Sequence, residues 1–265
     1  MRLNTIIAEP EGEPIAPPLL IVHGLFGSAR NWGALARRIA QGNIAGPRRV
    51  IAVDLRNHGD SGWDDDATYP ALAADLAETI DALGGQVDVL GHSMGGKAAM
   101  LLALTEPVRV NRLIVADIAP VAYSGHSHLP YIRAMEGVDL ASVTRRSDAD
   151  AALQGGVPDR GLRGFLLQSL SVEGGVARWK LNLPALSAHM DAILGFPDVS
   201  GVYDGPTLFV NGADSDYVAS EYRPAIKELF PKARFVGVKD AGHWLHADKP
   251  EAFLQTVGGF LKATD

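Results

Sequence analysis

Val87-Asp88-Val89-Leu90-Gly91-His92-Ser93-Met94-Gly95-Gly96-Lys97-Ala98-Ala99 decides the fold. Val87 to Leu90 is an apolar run too short for a helix, and it stops at a glycine, as a buried strand does. Met94 to Leu104 is rich in Ala, Leu and Met and is stopped by Pro107, the composition of a buried helix. Between them, Gly91-His92-Ser93-Met94-Gly95 fits G-x-S-x-G, a sharp strand-to-helix turn that holds a serine in an unfavourable conformation. Glycine on both flanks lets strand and helix approach where a Cβ would not fit. The pentapeptide alone is weak, and the strand before it and the helix after it give it weight.

Outward from this turn the same alternation repeats. Leu19-Leu20-Ile21-Val22 runs into His23-Gly24, Val50-Ile51-Ala52-Val53 into Asp54, and Leu113-Ile114-Val115-Ala116 into Asp117. Residues 71–83 place Leu72, Leu76, Ile80 and Leu83 on one helical stripe, with Asp75, Glu78 and Asp81 off it. Strand patterns resume at Thr207-Leu208-Phe209-Val210 and Arg234-Phe235-Val236-Gly237-Val238, and a final helix carries Phe253, Leu254, Val257, Phe260 and Leu261. The pattern predicts an α/β fold with a mostly parallel, doubly wound sheet. From 121 to 200 it lapses into scattered Gly, Pro and aromatics with no convincing strand, so residues 1–120 and 201–265 are expected to form the core and 121–200 a helical cap insertion.

Composition narrows the function. The 265 residues carry 24 Lys and Arg against 31 Asp and Glu, a net charge of −7 with no basic run. Nucleic acid is therefore not an expected partner. There is no cysteine, which removes thiolate metal sites, disulfides and a cysteine nucleophile. No uncharged apolar run reaches the roughly 18 residues of a membrane span, and the first ten residues lack a signal-peptide core. A cytoplasmic protein is expected, as a monomer or small homo-oligomer.

Gly91 to Ala98 also approaches the phosphate-binding pattern G-x-x-x-x-G-K-[ST], but Ala98 has no hydroxyl for magnesium, and Lys97 is read as a structural or pocket-edge charge. Gly125-His126-Ser127-His128-Leu129 lacks the second glycine and a preceding strand, so it is read as loop. His126 and His128 have no carboxylate cluster beside them, and no metal site or cofactor is expected.

A serine attacks only when a base takes its proton. His243, in Asp240-Ala241-Gly242-His243-Trp244 just after the last strand, would share the carboxyl edge of the sheet with Ser93. An oxyanion needs two fixed N–H donors. One is expected at Met94 and the other in His23-Gly24-Leu25-Phe26-Gly27, with Leu25 preferred and Phe26 the alternative. Asp54 to Ser61 is read as scaffolding, with Arg56 pairing a nearby carboxylate. Phe26, Tyr123, Trp179 and Trp244 are candidates for an apolar substrate pocket.

Taken in order, H-G-L-F-G-S, D-L-R-N-H-G-D-S, G-H-S-M-G-G-K, V-A-D-I-A-P and A-G-H-W resemble the α/β-hydrolase superfamily over nearly the whole chain. More narrowly, they resemble ybfF-type intracellular esterases and their mitochondrial abhydrolase relatives. The resemblance implies a metal-free serine hydrolase with a helical cap. Its expected activity is serine carboxylesterase action on short- to medium-chain acyl esters, with an acyl thioesterase or lipase-like hydrolase as the alternative. From another class, a non-catalytic ligand-binding protein on this fold is disfavoured by the intact Ser, His and glycine set. The insertion's seven basic and eight acidic residues offer no cradle for coenzyme A phosphates. The usual superfamily acid position, after the strand before the last, holds Ser215 in Asn211-Gly212-Ala213-Asp214-Ser215. Asp117, Asp214 and Asp216 all fit the chain order, and the ybfF-type pattern, with its serine there and its acid in V-x-D-I-x-P, points to Asp117 ahead of Asp216 and Asp214.

Overall fold

The computed structural model describes residues 1–42, 44–125 and 127–263. Among them the strands are β1 (Thr5–Ala8), β2 (Leu19–Val22), β3 (Val50–Val53), β4 (Val87–His92), β5 (Val110–Ala116), β6 (Leu170–Glu173), β7 (Val176–Trp179), β8 (Thr207–Gly212) and β9 (Ala233–Val238). All but β6 and β7 join one sheet in the order β1-β3-β2-β4-β5-β8-β9. Its neighbours are parallel except at β1, which runs antiparallel to β3. This is the doubly wound sheet that the alternating apolar runs predict.

Alternation along the strands supplies two cores, because successive side chains point to opposite faces. Leu19, Ile21, Val50 and Ala52 face α1 (Gly33–Ala40) and the C-terminal α11 (Pro250–Lys262). Leu20, Val22, Ile51 and Val53 face α2 (Tyr69–Ala82) and α3 (Met94–Thr105). The expected stripe of Phe253, Leu254, Val257, Phe260 and Leu261 is the buried face of α11. Strand β1 escapes the sequence pattern because it is short and alternates between exposed and half-buried positions.

Between β5 and β8 the chain forms α4 (Leu129–Glu136), α5 (Arg146–Leu153), α6 (Arg160–Leu166), α7 (Leu183–Ala188) and α8 (Met190–Leu194). It also forms strands, contrary to the expectation of an insertion without them: β6 and β7 pair as an antiparallel hairpin, Val172 opposite Ala177 and Glu173 opposite Val176. Gly174 and Gly175 close it with φ of 58° and 80°, the left-handed pair that a two-residue hairpin turn demands. The remaining helices are α9 (Arg223–Leu229) and the short α10 (Leu245–Asp248).

Candidate active site

The carboxyl ends of β4, β5, β8 and β9 meet at one edge, where a doubly wound sheet builds its sites. Strand β4 runs straight into Ser93, whose φ of 53° and ψ of −122° are strained for a residue with a side chain. Two backbone bonds hold the turn: Ser93 N–H donates to Ala116 O at 3.0 Å, and Lys97 N–H to Ser93 O at 3.1 Å. A Cβ on Gly91 would collide with the Gly95 carbonyl, and one on Gly95 with the carbonyls of His23 and Val22.

His243, in the loop after β9, places Nε2 3.1 Å from Ser93 Oγ and Nδ1 2.7 Å from Asp117 Oδ2. Asp117 ends β5, is fully buried and has a φ of 54°. It accepts from Gly212 N–H at 3.0 Å through Oδ1 and from the Ser215 hydroxyl at 2.5 Å through Oδ2. Ser215, at the position where the resemblance leads one to look for an acid, thus donates its hydroxyl to Asp117. The alternatives Asp214 and Asp216 are both exposed. The imidazole is stacked on Tyr217, ring centroids 4.2 Å apart, and its backbone carbonyl accepts from His92 Nε2 at 2.9 Å. Burial, reinforced by the neighbouring His246 and His243, lowers the His92 pKa well below the ordinary imidazole value.

Leu25 and Met94, the residues expected to supply the oxyanion donors, both line a cavity with Ser93. Met94 is the first residue of α3, and among the described residues neither its N–H nor that of Leu25 has an acceptor within bonding distance. Phe26, the alternative donor, is already engaged: its N–H donates to His58 Nε2 at 3.2 Å. That bond leaves the His58 proton on Nδ1, which donates to Arg56 O at 2.9 Å. Burial, with a smaller contribution from His23, pushes the His58 pKa down to about 3. His23 repeats the arrangement, accepting from Leu55 N–H at 3.0 Å and donating to Gly24 O at 2.8 Å. The Asp54 to Ser61 stretch is scaffolding, as its turn chemistry predicts, and its object is the loop that carries Leu25. Nothing in the sequence spacing ties His58 to Phe26, 32 residues away. Arg56 pairs with the buried Asp75 at 2.6 Å.

Two cavities open from Ser93. The larger, about 200 Å³, is lined by His243, Trp244 and His246 together with Phe26, Tyr131 of α4 and Phe165 of α6. The smaller, about 20 Å³, lies beside Met94, Lys97 and Ile118 and is roofed by Tyr69, Ile193 and Leu194. Of the pocket candidates, Phe26 and Trp244 line the larger cleft. Tyr123 lines the smaller cavity, its hydroxyl donating to Tyr217 O and accepting from Ala119 N–H. Trp179 lines neither. It is 7% exposed, with Nε1 donating to Met135 O at 2.9 Å, because a buried indole N–H takes the nearest carbonyl. His128 lines both cavities, whereas His126 lies outside the described residues. Among the described residues, no three His, Asp or Glu side chains gather as metal ligands would. No helix among them is long and apolar enough to cross a membrane.

A strained serine at a strand-to-helix turn, a histidine from the last loop and a buried carboxylate on one sheet edge are the marks of a serine hydrolase. The chain belongs to the α/β-hydrolase family: residues 19–256 match the family described as "Alpha/beta hydrolase family". It is 44% identical over 257 residues to "sn-1-specific diacylglycerol lipase ABHD11" of Mus musculus, covering 95% of this chain and 83% of that one. It is 37% identical over 264 residues to "Esterase YbfF" of Escherichia coli, covering 98% and 99%. A solved structure called "Marine microorganism esterase" superposes with a TM-score of 0.90 at 35% identity, over 98% of this chain and 99% of that one. The protein is an ester-hydrolysing member of this family.

Proposed function

We propose that the protein cleaves carboxylic esters of short acyl groups through a Ser93 acyl-enzyme. His243 takes the Ser93 proton as Oγ attacks the acyl carbonyl, and Asp117 fixes the imidazole and stabilises its charge. The N–H groups of Met94 and Leu25 receive the oxyanion. His243 then gives the proton to the departing alkoxide, and a water activated by the same imidazole hydrolyses the acyl-enzyme. The observation that carries this reading is the continuous line of hydrogen bonds Ser93–His243–Asp117, with two acceptor-less N–H groups beside the serine.

The division of the substrate follows from proton transfer. The leaving oxygen must reach His243 Nε2, so the alcohol belongs in the cavity lined by His243, Trp244 and His246. The acyl tail then points past Met94 into the smaller cavity, where about 20 Å³ admits roughly one methyl-sized group. A second reading, favoured by the apolar residues of the 200 Å³ cleft, turns the substrate round and lays a long acyl chain there, as a lipase would.

The test is hydrolysis of p-nitrophenyl esters from acetate to palmitate, in parallel with acyl-CoA thioesters, by the wild type and Ser93→Ala. Turnover greatest at acetate and declining with chain length, falling by roughly 10⁵-fold or more in the variant, is the expected result. A palmitate optimum supports the lipase orientation. A folded wild type inert to every ester and thioester overturns the catalytic reading and returns the non-catalytic binding protein.

A further inference from the structure

Acyl transfer has no use for Lys97, yet its side chain is 1% exposed, one helical turn below Ser93. Its ammonium donates to three backbone carbonyls: Val121 O at 2.9 Å, Leu194 O at 2.8 Å and Gly195 O at 2.5 Å. Among the described residues no carboxylate lies within ion-pair distance of it. The Tyr123 ring stands 4.7 Å away and the Tyr69 ring 5.9 Å. Three N–H bonds and three acceptors match one to one, which only the protonated amine achieves.

The acceptors lie at the two crossings between sheet and cap. Val121 is where the chain leaves the core after β5, and Leu194 and Gly195 are where it comes back from α8. Two further bonds close the same junction, Tyr69 Oη to Ile193 O at 2.7 Å and Tyr123 N–H to Leu194 O at 3.1 Å. Ile193, Leu194, Tyr69, Tyr123 and Lys97 are also walls of the small cavity beside Ser93. The position of both crossings therefore fixes the size of that cavity.

We propose that Lys97 is a positioning residue for acyl-chain length, clamping both ends of the cap to the nucleophile's helix and holding the cavity beside Ser93 to the size of a short acyl tail. This role presupposes that Ser93 is the acylated residue. Without the clamp, Ile193 and Leu194 retreat and the cavity deepens. A hydrophobic pocket discriminates by about 1–3 kcal/mol per methylene, or roughly 10- to 200-fold, so a change of one methylene in depth is readable in kinetics.

The experiment compares kcat/KM for p-nitrophenyl acetate, butyrate and hexanoate in the wild type, Lys97→Met and Tyr69→Phe. The hexanoate-to-acetate ratio is expected to rise about tenfold or more in Lys97→Met, and in the same direction but less in Tyr69→Phe, which keeps the ring and loses one tie. A merely structural loss lowers all three esters together and leaves the ratio unchanged, and that result overturns the proposal. Should Lys97→Met fail to fold, Tyr69→Phe and the wild type's own pH profile carry the test. Burial pushes the Lys97 pKa down to about 7, so the third bond is lost as pH rises through that value. The facing groups are Tyr69 from α2 and Tyr123 from the start of the cap, both held above the ordinary phenol value by burial, and His128, which lines the same cavity. Any effect common to all three esters cancels in the ratio. A hexanoate-to-acetate ratio that climbs through about pH 7 in the wild type supports the clamp, and where Lys97→Met folds its ratio is flat. A wild-type ratio flat across that range, or the same climb in Lys97→Met, overturns it. Absence of all esterase activity in the wild type would instead defeat the hydrolytic reading itself.

Discussion

His243 Nδ1 and Asp117 Oδ2 are 2.7 Å apart although 126 positions separate the two residues, and the carboxylate comes from β5, the strand next to the nucleophile's own. The loop after β8 contributes Ser215 instead, whose hydroxyl bonds to the same Oδ2. A triad is defined by geometry, so an acid one strand away from the usual one serves equally well if its oxygen reaches Nδ1.

Asp117→Asn is expected to lower kcat by roughly 10⁴-fold with little change in KM, because an amide facing Nδ1 favours the wrong tautomer. Asp214→Asn and Asp216→Asn should each stay within about threefold of the wild type, since both side chains are exposed. Steady-state kinetics on one ester decides it. A loss in Asp216→Asn equal to that in Asp117→Asn would move the acid to the loop after β8.

The bond from Phe26 N–H to His58 holds a residue at φ 63° beside the Leu25 donor. His58→Ala leaves that N–H buried without a partner and frees the loop. A kcat loss of about 10- to 100-fold at nearly constant KM is expected, the pattern for an interaction made mainly in the transition state. A variant with unchanged kcat would show that the Leu25 loop holds its place without His58.

How much of this was legible in sequence depended on whether the causes were local. Strands β2 and β3 stand where their apolar runs place them, and Ser93, His243 and Asp117 converge because each ends a parallel strand or begins the loop after one. The half-exposed β1 has only the short apolar stretch Ile6-Ile7-Ala8 to betray it. Trp179 illustrates a different limit, since composition marks an aromatic as buried without saying which cavity it faces. The contacts of His58 and Lys97 with loops 32 and 97 or more residues distant leave no periodic trace at all.

Acid should unfold the protein through histidines that the fold holds neutral. His58 and His246 are both pushed down to about 3, chiefly by burial, against 6.5 when unfolded. The unfolded chain thus binds more protons in this window, so the stabilisation is complete above about pH 6.5 and declines as pH falls toward 3. Each histidine contributes up to roughly 1.4 kcal/mol per pH unit there. Urea midpoints should therefore fall steadily between pH 7.5 and 4.5. His246→Phe should flatten that fall while keeping the stack on Trp32, now 4.3 Å between ring centroids, and it removes a buried Nδ1 that has no partner. An equally steep fall in the variant would place the acid sensitivity elsewhere.

The hairpin of β6 and β7 offers a test that joins local backbone chemistry to the site. Glu173-Gly174-Gly175-Val176 is the two-glycine signal of a tight turn, with both glycines at positive φ. Asparagine is at home in the first position of such a turn, so Gly174→Asn should be nearly neutral. A β-branched residue resists positive φ, so Gly175→Val should cost about 1–2 kcal/mol of stability, measured by denaturant unfolding. The strain reaches the active site by a short route. Ser169, just before β6, donates its hydroxyl to Phe26 O at 2.8 Å, and Lys180, just after β7, donates N–H to Ser169 O at 2.8 Å. A distorted hairpin therefore pulls on the Leu25 loop, and kcat should drop in Gly175→Val but hold in Gly174→Asn. Loss of stability without loss of kcat would mean that Ser169 follows the loop rather than holding it.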